Sequence, residues 1–245
     1  MPTQPDDVAL PIALWAAPRS RSTAFERTFV ERGDFDVVHE PFSATYYRSH
    51  DRRSDRYLDG EPRPDASARQ VLAEIERPRE RRVFVKDMAY HTAGFMDDGL
   101  AARFANSFLI RHPRNALASL HDKLPTFTLE EAGYEQLSRL YDIAAADDRA
   151  APVIDADDLV RDPDTMMRAY CAAMDITYVE AALSWQAEKV SEFSEWDSWH
   201  QRAQDSTGLG DIEPSDRPLP DHLEDVYQRC LPHYRRLHAE RLVAA

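Results

Sequence analysis

Lysine is almost missing from this chain: three lysines stand among 30 basic residues, so nearly all of the positive charge is guanidinium. Guanidinium suits two-pronged contacts to phosphate and sulfate, although most of these arginines read as ordinary surface residues. Cysteine is limited to Cys171 and Cys230, which excludes a disulfide framework, and Cys171 lies in an apolar helical pattern that predicts a buried thiol. A reducing, cytoplasmic setting is expected. No apolar run approaches the length of a membrane-spanning helix. The opening residues carry acidic groups before a brief apolar run and no basic region, so a signal peptide is not expected. A net charge of −14 argues against nucleic acid as the main partner, since phosphate backbones are bound by clustered positive charge. Internal repeats and low-complexity blocks are also missing, and the seven glycines and sixteen prolines only punctuate the chain.

What is present is an alternation of periods. Short apolar runs at 11–16, 35–39, 82–86, 107–111 and 152–155 read as buried strands. Segments with helical periodicity follow them: Thr23–Arg32, Ala66–Glu76, Arg114–Lys123, Leu129–Asp148, Pro163–Met174 and Pro220–Val243. This pattern predicts the α/β class, a three-layer single domain over 1–245 with a central parallel sheet of about five strands flanked by helices. The segment 43–65 is rich in Arg, Asp, Tyr and Pro without a clean apolar period and is expected to be a surface insertion. Two readings of it stay open, a substrate gate and a solvated loop with local ion pairs.

Two segments repeat one design. Pro11–Thr23, PIALWAAPRSRST, is a strand running into a basic, hydroxyl-rich turn and a helix, and Phe108–Leu120, FLIRHPRNALASL, does the same. A nucleotide-hydrolysing P-loop requires G-x-x-x-x-G-K-[ST], and the first turn has neither the glycines nor the Lys-Ser/Thr pair. It instead offers Arg19, Ser20, Arg21, Ser22 and Thr23 at a helix N-terminus, where amides and dipole favour an anion. The architecture is therefore P-loop-like while the loop is different. Arg111 ends the second strand and Ser119 lies about two helical turns further on, within reach of one anionic group.

The pair of segments resembles the sulfotransferases that use 3′-phosphoadenylyl sulfate (PAPS). Val153–Pro163, VIDADDLVRDP, looks like that family's strand and acidic turn, and Thr207–Asp211, TGLGD, like its late glycine-containing nucleotide loop. PRSRSTAFER followed by HEPF is closest to the bacterial small-molecule enzymes. The resemblance implies that Arg19, Ser22 and Thr23, with Ser20 and Arg21 in the same turn, hold the 5′-phosphosulfate. It implies that Arg111 and Ser119 hold the 3′-phosphate, and that Thr207, Gly208 and Gly210, with Arg202 nearby, approach the nucleotide. The product would be adenosine 3′,5′-bisphosphate (PAP), and no metal is required. Arg19 replaces the common loop lysine, and Arg21 stands where many relatives carry glycine.

Sulfuryl transfer needs a cation near the bridging oxygen and a base on the acceptor hydroxyl. Arg19 is the first cation and Lys86 the second. Animal-type relatives place their base two residues after this lysine, where this chain has Met88. The base implied by the bacterial resemblance is Glu40, with His91 second and His39 third, the last expected to face away from Glu40 along a regular strand. Trp196 and Trp199 are expected in the core, and the histidines lack the spacing of a metal site. The partner is a small hydroxylated acceptor, with homo-oligomerisation left open. A kinase-like nucleotide enzyme and a non-catalytic nucleotide- or partner-binding protein of the same fold remain as alternatives.

Overall fold

The computed structural model describes residues 9–146, 149–196, 199, 203–209 and 218–243. Its first half runs β1 (Ile12–Ala16), α1 (Ser22–Arg32), β2 (Phe35–His39), α2 (Ser43–Arg48), α3 (Ala68–Ile75), β3 (Arg82–Met88), α4 (Asp98–Ala101) and β4 (Ala105–Ile110). Then follow α5 (Pro113–Lys123), α6 (Leu129–Ala132), α7 (Tyr134–Ala144), β5 (Val153–Asp155), α8 (Ala156–Arg161), α9 (Pro163–Ala173) and α10 (Glu224–Ala239). The strands form one parallel sheet in the order β2-β3-β1-β4-β5, which bears out the α/β reading and its strand count.

β1 is buried at every position because both faces of the sheet are covered. On one face Ala13, Trp15, Val85, Phe108 and Ile110 pack with Leu117, Leu137 and Leu237 from α5, α7 and α10. On the other, Leu14, Phe84, Leu109 and Ile154 meet α1 and α9. Phe29 stacks on Phe84 with ring centroids 3.7 Å apart, and Tyr170 meets Phe25 edge-on at 4.9 Å, which anchors α1 against β3. Two polar side chains buried in the sheet are paired: Trp15 Nε1 donates to Asn106 Oδ1 (2.8 Å) and Ser107 Oγ to the Ala13 carbonyl (2.8 Å).

Three expectations need correction. The single helix Leu129–Asp148 is two, broken at Gly133, whose φ is +80°; a Cβ there would stand 2.9 Å from Pro18 Cδ. Asp147 and Asp148 lie outside the described residues. The segment 43–65 does not start as a surface loop, because α2 buries Ser43, Thr45, Tyr46 and Tyr47; its aromatic residues pack inward and only the Arg- and Asp-rich remainder is largely exposed. The helix predicted over Pro220–Val243 opens with a 3₁₀ turn at Asp221–Leu223 and is α-helical over α10 only. Both cysteines are free, and Cys171 is buried as its helical pattern predicts; Cys230 is buried too.

Candidate functional site

All five strands point the same way, so their carboxyl ends share one edge, where ligands of open parallel sheets bind. A cavity of about 180 Å³ opens there. It is lined by Arg19, Arg21, Ser22 and Thr23 from the turn after β1, Glu40 after β2, His91 after β3, and Arg111 and Ser119 after β4.

The turn after β1 is held in an unusual shape. Arg19 and Arg21 both occupy the left-handed region, at φ 61° and 67°, where a side chain costs roughly 1–2 kcal/mol that glycine would not. Ser20 does not face the cavity: its hydroxyl donates to the Ala17 carbonyl (2.7 Å) and closes the turn. Arg21 is the N-cap of α1, and a guanidinium carries only donors, so it cannot cap the first amides of the helix as Ser or Asp would. Ser22 and Thr23, the first residues of the helix, line the cavity.

The second segment is bonded to the first. Arg111 Nη1 donates to the Arg19 carbonyl (3.0 Å), and Arg19 Nε donates to Ser119 Oγ (3.0 Å). Arg21 and Arg111 also share one carboxylate, Asp157 Oδ1, at 3.6 and 3.8 Å. Burial, then the neighbouring Arg111 charge, lower the Arg21 pKa to about 10, with Asp157 and Asp155 acting the other way. Two buried guanidinia over one carboxylate leave local positive charge that suits an anion.

A second buried cluster lies under the exit of β2 and β3. Lys86, 0% exposed, donates to Glu40 Oε1 at 2.5 Å and lies 3.9 Å from Glu26 Oε2. His39 Nδ1 is 2.7 Å from the same Glu26 oxygen. His39 does not face away from Glu40 as a regular strand would require. Glu40 sits at φ 44°, off the strand, and His39 Nε2 is 3.7 Å from its Oε1. The Glu40 amide still bonds the Lys86 carbonyl (2.7 Å), so the bend falls on the last paired residue.

Asp87 organises the neighbouring exit. Its Oδ2 accepts from the Phe42 amide (2.7 Å), and its Oδ1 accepts from the Met88 amide (2.7 Å) and contacts His91 Nδ1 (2.6 Å). In the neutral imidazole, donation of Nδ1–H to Asp87 leaves Nε2 as an acceptor. His91 is 3% exposed and lines the cavity.

The structure thus brings Arg19, Arg21, Ser22, Thr23, Glu40, His91, Arg111 and Ser119 together, with Lys86 one layer below. Thr207 and Gly208 are not among the lining residues: Thr207 O accepts from the Trp185 amide (2.9 Å), and Gly208 bridges Ser184. Gly210 and Arg202 lie outside the described residues. Trp199 is not a core residue; it lines the cavity, and its carbonyl accepts from Arg19 Nη1 (3.2 Å). The 3₁₀ turn Ser191–Trp196 carries Trp196. Sequence reading missed Asp87 and Asp157, for which the only signal was a charged residue just past a strand. It also missed the pairing of Arg56 with Glu131, which are far apart in the chain. Among the described residues no cluster of His, Cys, Asp and Glu could hold a metal ion, and no helix is long and apolar enough to cross a membrane.

Comparison with known proteins bears on this geometry. The family described as a sulfotransferase domain matches residues 10–241. The chain is similar to branched-chain-amino-acid aminotransferase-like protein 1 of Arabidopsis thaliana, at 30% identity over 239 residues, 91% of this chain and 40% of that protein. The corresponding protein 2 is 28% identical over 92% of this chain and 41% of its own length, so the chain spans about two fifths of these relatives. Among solved structures it is similar to the sulfotransferase domain from the Synechococcus PCC 7002 olefin synthase, with TM-score 0.48 and 16% identity over 94% of this chain and 98% of that one. A family match over nearly the whole chain, on a parallel sheet with a cationic turn after β1 and a second after β4, leads to one conclusion: the chain belongs to the sulfotransferase domain family.

Proposed function

We propose that this sulfotransferase moves a sulfuryl group from PAPS to a hydroxyl of a small metabolite. The observation that carries the reading is the bonding of the two basic turns into one clamp, Arg111 to the Arg19 carbonyl and Arg19 to Ser119, with Arg21 and Arg111 sharing a single carboxylate. These residues fit a donor with an anionic group at each end: Arg19, Ser22 and Thr23 at the phosphosulfate, Arg111 and Ser119 at the 3′-phosphate. PAPS supplies the activated sulfuryl group and leaves as PAP.

The chain's own work is to place charge and take a proton. Arg19 holds fixed donors toward the phosphosulfate, where negative charge grows on the leaving side. Glu40 takes the acceptor hydroxyl proton on its carboxylate. Lys86 donates to that carboxylate at 2.5 Å and so fixes its position at the exit of β2. A second reading of the base has a specific observation behind it: His91 lines the cavity and is held through Nδ1 by Asp87.

Turnover and PAP binding measured on the same variants separate these roles. Glu40→Gln should lower kcat by about 10²- to 10⁴-fold and change PAP affinity little. Unchanged kcat removes Glu40 from the mechanism and moves the loss to His91→Gln. The acceptor itself is sought by mass spectrometry of a metabolite extract incubated with PAPS; absence of any sulfated product would favour a binding protein over an enzyme.

A further inference from the structure

The cavity is also lined by residues that the proposed donor contacts do not use. Its lining includes three tyrosines, Tyr47, Tyr57 and Tyr90, and the apolar residues Met88, Leu120 and Leu124. Tyr47 and Tyr57 meet edge-on with centroids 4.8 Å apart, and the Tyr47 and Tyr90 hydroxyls are 3.0 Å apart. These surfaces are flat and rigid, and they suit a ring or other compact apolar body.

The charge on this wall is compensated. Glu131, 1% exposed, receives Arg56 as a two-pronged partner, Nε to Oε1 at 2.8 Å and Nη2 to Oε2 at 2.9 Å. It also accepts from the Tyr47 hydroxyl (3.2 Å) and the Thr128 amide (2.7 Å). Glu40 is engaged by Lys86, and His91 by Asp87. A ring of tyrosines can hold an ammonium group, but such a cage keeps its carboxylates available to the cation. Here the carboxylates already carry guanidinium and ammonium partners.

Arg56 does one thing more. It donates to the Thr126 hydroxyl (3.0 Å) and carbonyl (2.7 Å), so it ties the segment 49–63 to the turn before α6 and sets the neighbouring Tyr57 at the cavity. We infer that this segment, through Tyr57 and the Arg56–Glu131 pair, forms the acceptor-selecting wall of the sulfotransferase and admits a neutral hydroxyl compound with a flat or apolar body. The inference rests on the sulfotransferase reading above and adds the acceptor class and the residues that choose it.

Calorimetric titration of the PAP-saturated protein tests it without turnover. The probes are 4-methylphenol, neutral; tyramine, cationic; and 4-hydroxyphenylacetate, anionic. The neutral phenol should bind at least about tenfold more tightly than either charged probe, as expected when a desolvated wall offers a charged group no counterion. Tyr57→Ala should weaken the neutral phenol about fivefold or more and leave PAP binding unchanged. Glu131→Gln, which frees the Arg56 charge, should narrow the gap between 4-methylphenol and 4-hydroxyphenylacetate. Equal or tighter binding of either charged probe, no binding of 4-methylphenol, or a Tyr57→Ala variant indistinguishable from wild type overturns the inference while the sulfotransferase reading stands. Failure of PAP to bind, seen before any phenol is added, overturns both.

Discussion

Arg21 shows what a single residue in the wrong backbone region can reveal. A side chain at φ 67° is tolerated where the surrounding structure over-determines it, and here it delivers a second guanidinium beside Arg111. Arg21→Gly should therefore leave stability to chemical denaturation within about 1 kcal/mol of wild type, since relief of the left-handed strain offsets the greater freedom of the unfolded chain. Arg21→Ala should be less stable than Arg21→Gly by about 1 kcal/mol, and both should bind PAP roughly tenfold more weakly for want of a charge-assisted bond. Equal stability of the two variants would remove the strain from this account. That the two basic turns meet at one cavity was legible in the sequence, because arginines and hydroxyls stand directly after two apolar strands of one parallel sheet. Their partners were not, because Asp157, Asp87 and Glu131 reach the site from other elements and look like any carboxylate. The relation of His39 to Glu40 was misread for a different reason, since strict alternation holds only while the backbone stays extended and Glu40 does not.

At the scale of elements, the junction between α6 and α7 supports the turn after β1 from behind. Gly133 ends one helix and starts the next at φ +80°, and the missing Cβ lets it approach Pro18, the residue before Arg19. Gly133→Ala meets both the φ penalty and a 2.9 Å contact with a rigid ring, so a destabilisation of about 1–3 kcal/mol is expected in urea unfolding, with loss of PAP affinity as the turn is displaced. A variant as stable as wild type would mean that Pro18 yields freely. The glycine was visible inside the helical pattern of 129–148, but periodicity on either side of it outweighed a lone breaker. Helix α2 was hidden by composition: its tyrosines are half polar, and a segment dense in arginine and aspartate reads as solvated even where one turn of it is buried.

At the scale of the whole molecule, the two basic turns leave β1 and β4, neighbours in the middle of the sheet, so an anion held between them should stabilise the fold. PAP at one hundred times its Kd should add about 2.7 kcal/mol and raise the melting temperature by roughly 5–10 °C, ADP should do less, and Arg111→Ala should erase the difference. A larger shift with ADP would favour a nucleotide enzyme of another kind. The strand count, the parallel sheet and the placement of the site at its carboxyl edge were all legible, because buried strands and amphipathic helices alternate regularly along the chain. The order of the strands was not, as nothing local tells β1 to lie between β3 and β4. That central position has a consequence in time. Ile12 pairs with Phe84 on one side and Ala105 on the other, so during synthesis the most deeply buried strand emerges first and its partners follow only after an interval on the order of ten seconds. Until β3 leaves the ribosome, a sticky apolar ribbon and the basic turn behind it have no sheet to join, and chaperones that shield extended chains have a clear target there.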